Sequence, residues 1–522
     1  MLRRSVRSIG LLLLVLAITP FIQAQEAPLT GFNDYVNKAL GDWQVPGLAV
    51  AIVKNDQIVF ARGYGVRKLG ETAPVTERTL FAIGSSSKAF TAASIAMLID
   101  EGKLSWDDPA IRHLPGFELF DPYATRELTV RDLLSHRSGL QRGDFLWYGS
   151  EYDRNEIIRR TRYLKPSWSL RSRFGYQNLM FLTAGQLVAK ISGKSWDEFI
   201  KDRLFSPLGM TASSTSIKSL QTSNDVATPH AKVDEKVQVV AWRNIDNIAP
   251  AGSINSNVID MAQWVRLQLS DGNYQGKRLF SSGVAKEMHT PQTVIRAEPP
   301  YSLFYPEAHF INYGLGWFLS DYRGRKVVEH GGAIDGMRAQ IALLPEEKLG
   351  LVILSNMHGT LLPTALMYRT FDAYLGPPQR DWSAELLKTF KSFEEQAKTA
   401  EKKQQEQRVK DTKPSLALEK YSGTFNNELY GDVKVTYENG KLRLRFGPAF
   451  ESDLEHWHYD TFQARFSAAG DTKVHATFSL NAQGKMETLT INLPGVADYP
   501  FKRVPDPPAS PTIAVSESDL KK

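Results

Sequence analysis

The 522-residue chain contains no cysteine. Disulfides, thiolate nucleophiles, zinc–thiolate sites and a lipid-modified cysteine are therefore excluded. Net charge of one sign is scarce as well. The formal balance is +6, and Arg3, Arg4 and Arg7 fall in a leader-like segment, which leaves about +3 because no acidic residue precedes Glu26. So small an excess gives no electrostatic footprint for nucleic acid. Long apolar runs are missing outside the N-terminus, where a basic start precedes the stretch 9–18, then Pro20 and Ala24. That run is too short to span a bilayer comfortably and reads as a secretory signal over residues 1–24. The expectation is a periplasmic or secreted protein with no membrane span after signal cleavage. Export without cysteine is unremarkable for a chain long enough to bury a large core.

Two catalytic signatures are missing too: a Gly-x-Ser-x-Gly elbow and a His-Glu-x-x-His helix. His456-Trp457-His458 could place two imidazoles on one strand face, but no third ligand is evident, so a surface or rim role is the expectation. No metal or cofactor is expected.

The length implies two globular units with accessory segments. Residues 48–53 and 58–61 alternate as strands around Asn55-Asp56-Gln57, a hairpin pattern. A second strand group covers 327–328, 340–344 and 349–354, and helical patterns at 89–99 and 179–191 lie between the groups. Strands contributed by both ends with helices between predict an α/β (α+β) domain over 29–380, one antiparallel sheet flanked by helices with a helical subdomain. Trp382, Leu386, Phe390, Phe393 and Ala397 then recur at helical spacing and fade into a Lys/Glu/Gln linker over 381–413. After Tyr421 the period becomes two: Val433, Val435 and Tyr437 alternate, Asn439-Gly440 turns, and Leu442, Leu444 and Phe446 alternate. Residues 414–505 read as a small antiparallel β-barrel or sandwich of roughly eight strands, followed by a Pro- and Ser-rich tail, 506–522, expected to be disordered. The polar linker implies few contacts across it, so a chain cut near Lys413 is expected to fold and keep its site.

Gly84-Ser85-Ser86-Ser87-Lys88 stands just ahead of the first helical pattern. A serine at a helix start feels the positive end of the dipole, and a lysine at i+3 shares its face. An amine ordinarily titrates near 10.4, so burial or a neighbouring cation has to lower Lys88 before it can act as a base. Taken alone, Ser-x-x-Lys is as readily a helix cap. Two further elements accompany it. Tyr176-Gln177-Asn178 opens the second helical pattern, and His330-Gly331-Gly332 ends a strand with glycines that let substrate approach backbone. Read one at a time, Tyr176 is a packed aromatic, Asn178 a cap and His330 a polar strand end. His136 follows a helix end and reads as structural.

In this order the three elements resemble the penicillin-binding proteins and serine β-lactamases, and most nearly the class C β-lactamase branch with its esterase and peptidase relatives. Leu128-Thr129-Val130-Arg131-Asp132-Leu133-Leu134-Ser135-His136-Arg137-Ser138-Gly139-Leu140, Pro207-Leu208-Gly209-Met210, Pro250-Ala251-Gly252-Ser253 and Tyr313-Gly314-Leu315-Gly316-Trp317 resemble family segments, as does the stretch 330–336. The resemblance spans roughly residues 29–376, and the barrel resembles an accessory domain of such hydrolases. It implies a β-lactamase/transpeptidase-like fold and an acyl-enzyme on Ser85. Lys88 and Tyr176 would share the proton transfers, and the N–H groups of Ser85 and Ala333 would form the oxyanion hole. Asn178 would orient the acyl group, with His330 and Gly332 lining the substrate strand. His330 stands where lysine is usual, which weakens the charge available for a substrate carboxylate and speaks against potent β-lactamase activity. The implied substrate is a small molecule or peptide, often with D-residues, or an ester. The alternatives are a β-lactamase or a catalytically weak binder of penicillin or cell-wall fragments. Oligomeric state is not readable from the sequence.

Overall fold

The computed structural model describes residues 28–376, 378, 380–466, 472–493 and 499–505. The secretory signal expected over 1–24 and the disordered tail expected over 506–522 fall outside the described residues.

Eight antiparallel strands make the main sheet: β1 (Gly47–Lys54), β2 (Gln57–Gly65), β3 (Thr293–Ile295), β4 (Ile311–Tyr313), β5 (Phe318–Tyr322), β6 (Arg325–Ile334), β7 (Met337–Leu344) and β8 (Leu349–Ser355), in the spatial order β2-β1-β8-β7-β6-β5-β4-β3. The seam between early and late chain is the β1–β8 ladder, with Leu48 opposite Ser355 and Lys54 opposite Leu349. Alternation along β1 sorts its side chains onto two cores. Ala49, Ala51 and Val53 join the large cluster that includes Phe90, Phe181 and Trp264. Leu48, Val50 and Ile52 join Phe32, Trp43, Phe371 and Trp382. Helices α1 (Phe32–Trp43), α2 (Ser87–Asp100), α3 (Asn178–Ser192), α4 (Val258–Leu269), α5 (Leu362–Leu375) and α6 (Trp382–Glu406) supply those residues. Every side chain of α2 from Ser87 to Leu98 is buried, polar ones included, as befits a helix enclosed on all sides.

The β-barrel is closed by eight strands, β9 (Gly423–Asn427), β10 (Gly431–Glu438), β11 (Lys441–Phe446), β12 (Phe450–His458), β13 (Thr461–Phe466), β14 (Thr472–Leu480), β15 (Met486–Ile491) and β16 (Pro500–Arg503). Asn439 and Gly440 turn between β10 and β11 with φ 53° and 79°, the two positive angles that a tight hairpin turn requires. Trp382, at the head of α6, is core: its ring stacks on Tyr368 at 4.7 Å and its indole donates to Asp372 at 2.8 Å. The far end of α6 touches the barrel, Glu401 pairing with Lys473, and a second contact lies on the first unit. Phe450 packs on Phe145 and Tyr148 at ring separations of 5.2 and 5.8 Å. The Lys165 N–H donates to the Tyr499 hydroxyl at 2.8 Å, and Arg160 donates to the Glu428 carbonyl at 2.8 Å. Polar linker residues also reach the barrel, Arg408 donating to the Trp457 carbonyl at 2.7 Å, while an aromatic loop supplies the apolar part of the docking.

Candidate active site

The turn Gly84–Ser86 leads directly into α2 and carries Ser85. Two glycines let this turn lie against β6. A Cβ on Gly332 would stand 1.8 Å from the Ile83 carbonyl oxygen and 3.1 Å from the Ser85 nitrogen. A Cβ on Gly84, whose φ is +52°, would stand 2.6 Å from the Ala333 nitrogen. Ser85 and Ala333 are thereby brought side by side without intervening side chains. The neighbouring serines are otherwise engaged: Ser86 Oγ donates to the His330 carbonyl at 2.9 Å, and Ser87 Oγ donates to the Gly84 carbonyl at 2.8 Å.

Lys88 is fully buried, and its Nζ lies 3.0 Å from Ser85 Oγ, 2.8 Å from Asn178 Oδ1 and 2.8 Å from the Ala251 carbonyl. Burial pushes this amine well below its ordinary range, and nearby Arg142 pushes the same way, while Asp144 opposes. Asn178 Oδ1, the Ala251 carbonyl and Ser85 Oγ surround Nζ within hydrogen-bond reach, so the amine is held against the Ser85 hydroxyl. Asn178 is held in that orientation because its Nδ2 donates to Asp144 Oδ1 at 2.8 Å.

Tyr176 completes the group. Its ring lies 4.9 Å from Lys88 Nζ, and Arg142 covers it at 5.0 Å. Burial pushes the phenol up, and the adjoining Ser85 hydroxyl pulls it partly back. His136 backs this ring at 4.2 Å and accepts the Gln177 N–H on Nδ1 at 3.0 Å. His136 thus packs against Tyr176 and holds the backbone beside it.

His330 lies near the end of β6, buried, with Nδ1 2.6 Å from the Gly331 carbonyl and Nε2 3.0 Å from the Tyr313 hydroxyl. The first distance makes Nδ1 the donor, so Nε2 accepts from Tyr313. Burial and the nearby Lys88 push this imidazole down to about 3, so it is neutral at ordinary pH and supplies no cation to the substrate strand. Charge at the site comes from residues that no motif marked. Arg142 donates to Asp144 at 2.7 Å, and Asp144 also accepts from the Trp147 indole at 2.8 Å. The left-handed Gly143, φ 102°, was the one local hint of a built turn there.

Two cavities open on Ser85. One, of about 320 Å³, runs past Tyr176, Tyr301, Phe318 and His330 to Arg338. The other, of about 220 Å³, is bounded by Trp147, Tyr148, Ile245, Ile248 and Asn178. A hydroxyl beside a buried amine and a phenol, next to a glycine-lined gap between turn and strand, is an arrangement suited to acyl transfer.

Residues 32–369 match the family model described as Beta-lactamase. The chain belongs to this family. Within the β-lactamase superfamily its similar proteins include an unguisins hydrolase of Aspergillus campestris, 29% identical over 79% of this chain and 78% of the relative. A second unguisins hydrolase, from Aspergillus violaceofuscus, is 28% identical over 88% and 87%. An octameric penicillin-binding protein homologue from Pyrococcus abyssi shares the fold with a TM-score of 0.60 at 23% identity, covering 91% of this chain and all of that one. A D-stereospecific amidohydrolase from Streptomyces matches 63% of this chain and 94% of its own with a TM-score of 0.52 at 21% identity. Residues 407–503 match a domain of unknown function, DUF3471. Among the described residues no helix is long and apolar enough to cross a membrane.

Proposed function

We propose that this β-lactamase-family protein is an exported serine hydrolase that cleaves amide or ester bonds, including those of peptides with D-residues, through an acyl-enzyme on Ser85. The observation that carries the proposal is the buried Lys88, its pKa lowered by burial and its Nζ held 3.0 Å from the Ser85 hydroxyl by Asn178 and the Ala251 carbonyl. Lys88 takes the hydroxyl proton as Ser85 Oγ attacks the acyl carbon. The N–H groups of Ser85 and Ala333 hold the oxyanion, and Tyr176 passes the proton to the leaving group. Water then cleaves the acyl-enzyme with the same groups acting in reverse. Asn178 keeps Lys88 aimed and lines the smaller cavity. Relatives named for hydrolysis, one of them D-stereospecific, support the choice of reaction. Export is proposed on the basic start and the apolar stretch 9–18.

The test is labelling of the purified mature chain with a fluorophosphonate, followed by turnover of D-amino-acid amides, short-chain esters and nitrocefin. Labelling of Ser85 with turnover of an amide or ester is the expected result. Labelling without any turnover would make the protein a binder, and rapid nitrocefin hydrolysis alone would make it a β-lactamase.

A further inference from the structure

The larger cavity does not end at the strand edge. The β5–β6 ladder stops at the pair Phe318 and Glu329, so residues 330–334 of β6 pair only with β7 and present an open edge. The cavity passes from Ser85 over this edge to the opposite face of the sheet, where Arg338 and Gln340 of β7 and Thr364 and Met367 of α5 line it. Gly331 keeps the passage clear. A Cβ there would come within 3.2 Å of Gln340 Oε1 and 3.6 Å of Arg338 Nη2.

Among the described residues the Arg338 side chain makes no hydrogen bond or ion pair, its Nε is sealed from solvent, and Glu329 is the charge nearest it. The neighbouring carboxylate, Glu329, is engaged by the Tyr305 hydroxyl and the Gln340 amide. Burial pushes that carboxyl up, which reduces the charge it can offer. Glu329 is thus the opposing charge nearest this half-buried guanidinium, yet it is already engaged by two other donors, so a ligand anion would add a direct partner that Arg338 lacks. Its cross-strand partner is Ala333, the expected oxyanion donor. Two residues of strand separate Gly331 from Ala333, so the guanidinium lies about 7 Å along the strand from the oxyanion position.

We propose that Arg338 is an anion subsite that binds a carboxylate carried by the acyl substrate. The planar guanidinium matches a carboxylate with two parallel N–H donors. The path also crosses the strand edge to the other face, so about 7 Å along the strand makes a glutaryl group the shortest acyl chain that could reach the guanidinium. The cation missing at His330 is thus supplied from the neighbouring strand and the other face of the sheet. The proposal rests on the serine hydrolase reading for its reaction, but the binding step stands apart from it.

The experiment compares p-nitrophenyl hemiglutarate with p-nitrophenyl valerate, and measures glutarate binding by calorimetry. In Arg338→Gln the anionic-to-neutral ratio of kcat/KM should fall 10–100-fold, chiefly through KM, and glutarate binding should be lost. Arg338→Lys should restore part of both. An unchanged ratio with unchanged glutarate binding overturns the subsite while leaving the hydrolase reading intact. If neither ester is turned over and Ser85 resists fluorophosphonate, the hydrolase reading fails, and glutarate binding by the unsubstituted chain decides the subsite alone. Should Arg338→Gln not fold, competition of glutarate against valerate hydrolysis, with glutaramide as the uncharged control, decides it. Equal inhibition by the two overturns the proposal.

Discussion

At the scale of single residues, the site is governed by how many protons each group can place. Lys88 has oxygen acceptors for two hydrogens and one further neighbour, Ser85 Oγ. Lys88→Ala and Tyr176→Phe should each be severe, and the double variant scarcely worse, because groups acting as a unit do not add. Multiplicative losses in single-turnover acylation would contradict a shared proton path. Ser85→Ala should lower turnover by a factor on the order of 10⁶, and any adduct still formed would move the nucleophile to Ser86 or Ser87. Buried histidines set a second expectation. His289 and His330 are held near 3 by burial, below the ordinary imidazole value of about 6.5. A folded value depressed below the unfolded one means the unfolded chain binds more protons between the two. Stability is therefore complete above about 6.5 and declines as pH falls toward 3. Thermal melts from pH 7 to pH 4 should show the fall, and His289→Leu, remote from Ser85, should flatten it by one proton. A melt profile unmoved by that substitution would show that His289 titrates normally. Ser85, Lys88, Tyr176, Asn178, His330 and Gly332 were legible because short spacings carried them. Arg142, Asp144 and Arg338 were not, since their roles depend on contacts between distant segments.

At the scale of elements, the sequence displayed long strands and enclosed helices well and short edge pieces poorly. Strands β1, β2, β7 and β8 announced themselves by apolar runs, whereas β3, β4 and β5 have only three to five residues each, too few for a period to show. Helix α2 begins at Ser87, ahead of the apolar pattern at 89, because its first polar side chains are turned inward to work on the site. The closeness of α2 to β6 gives a prediction at this scale. Gly332→Ala would drive a methyl group to 1.8 Å from the Ile83 carbonyl, so strand and turn must part, and the Ser85 and Ala333 N–H groups part with them. Losing one aligned oxyanion donor costs roughly 10²–10³ in kcat. The variant should stay folded by circular dichroism yet lose turnover on that scale. Near-full activity would mean that the two N–H groups are not the oxyanion hole.

At the scale of the molecule, the barrel packs against the loop that supports the cleft. Asp144, which steadies Asn178, begins the turn that continues through Phe145 to Tyr148. Phe145 and Tyr148 rest on Phe450, and Tyr148 donates to the Asp335 carboxylate, two residues beyond Ala333. This docking was not legible, because a loop of Phe, Leu, Trp and Tyr has no period that tells an interface from a core. A chain cut near Lys413 would leave Phe145, Tyr148 and Tyr152 uncovered, and the linker itself bonds to the barrel through Glu401 and Arg408, so few contacts crossing it is not what the structure has. The interface can be tested with the barrel in place. A Cβ on Gly149 would stand 2.3 Å from the Ala449 Cβ, so the surfaces meet with no room to spare at Ala449, on the turn between β11 and β12. Ala449→Glu would force a charge into that contact while leaving the barrel strands themselves intact. Calorimetry of the unsubstituted chain should show one coupled unfolding transition, and the variant should show two, with the first unit melting earlier. Acylation of Ser85 should slow in the variant as the Asp144 turn loses its support. A single transition with an undiminished labelling rate would show that the barrel rests on this loop without holding it.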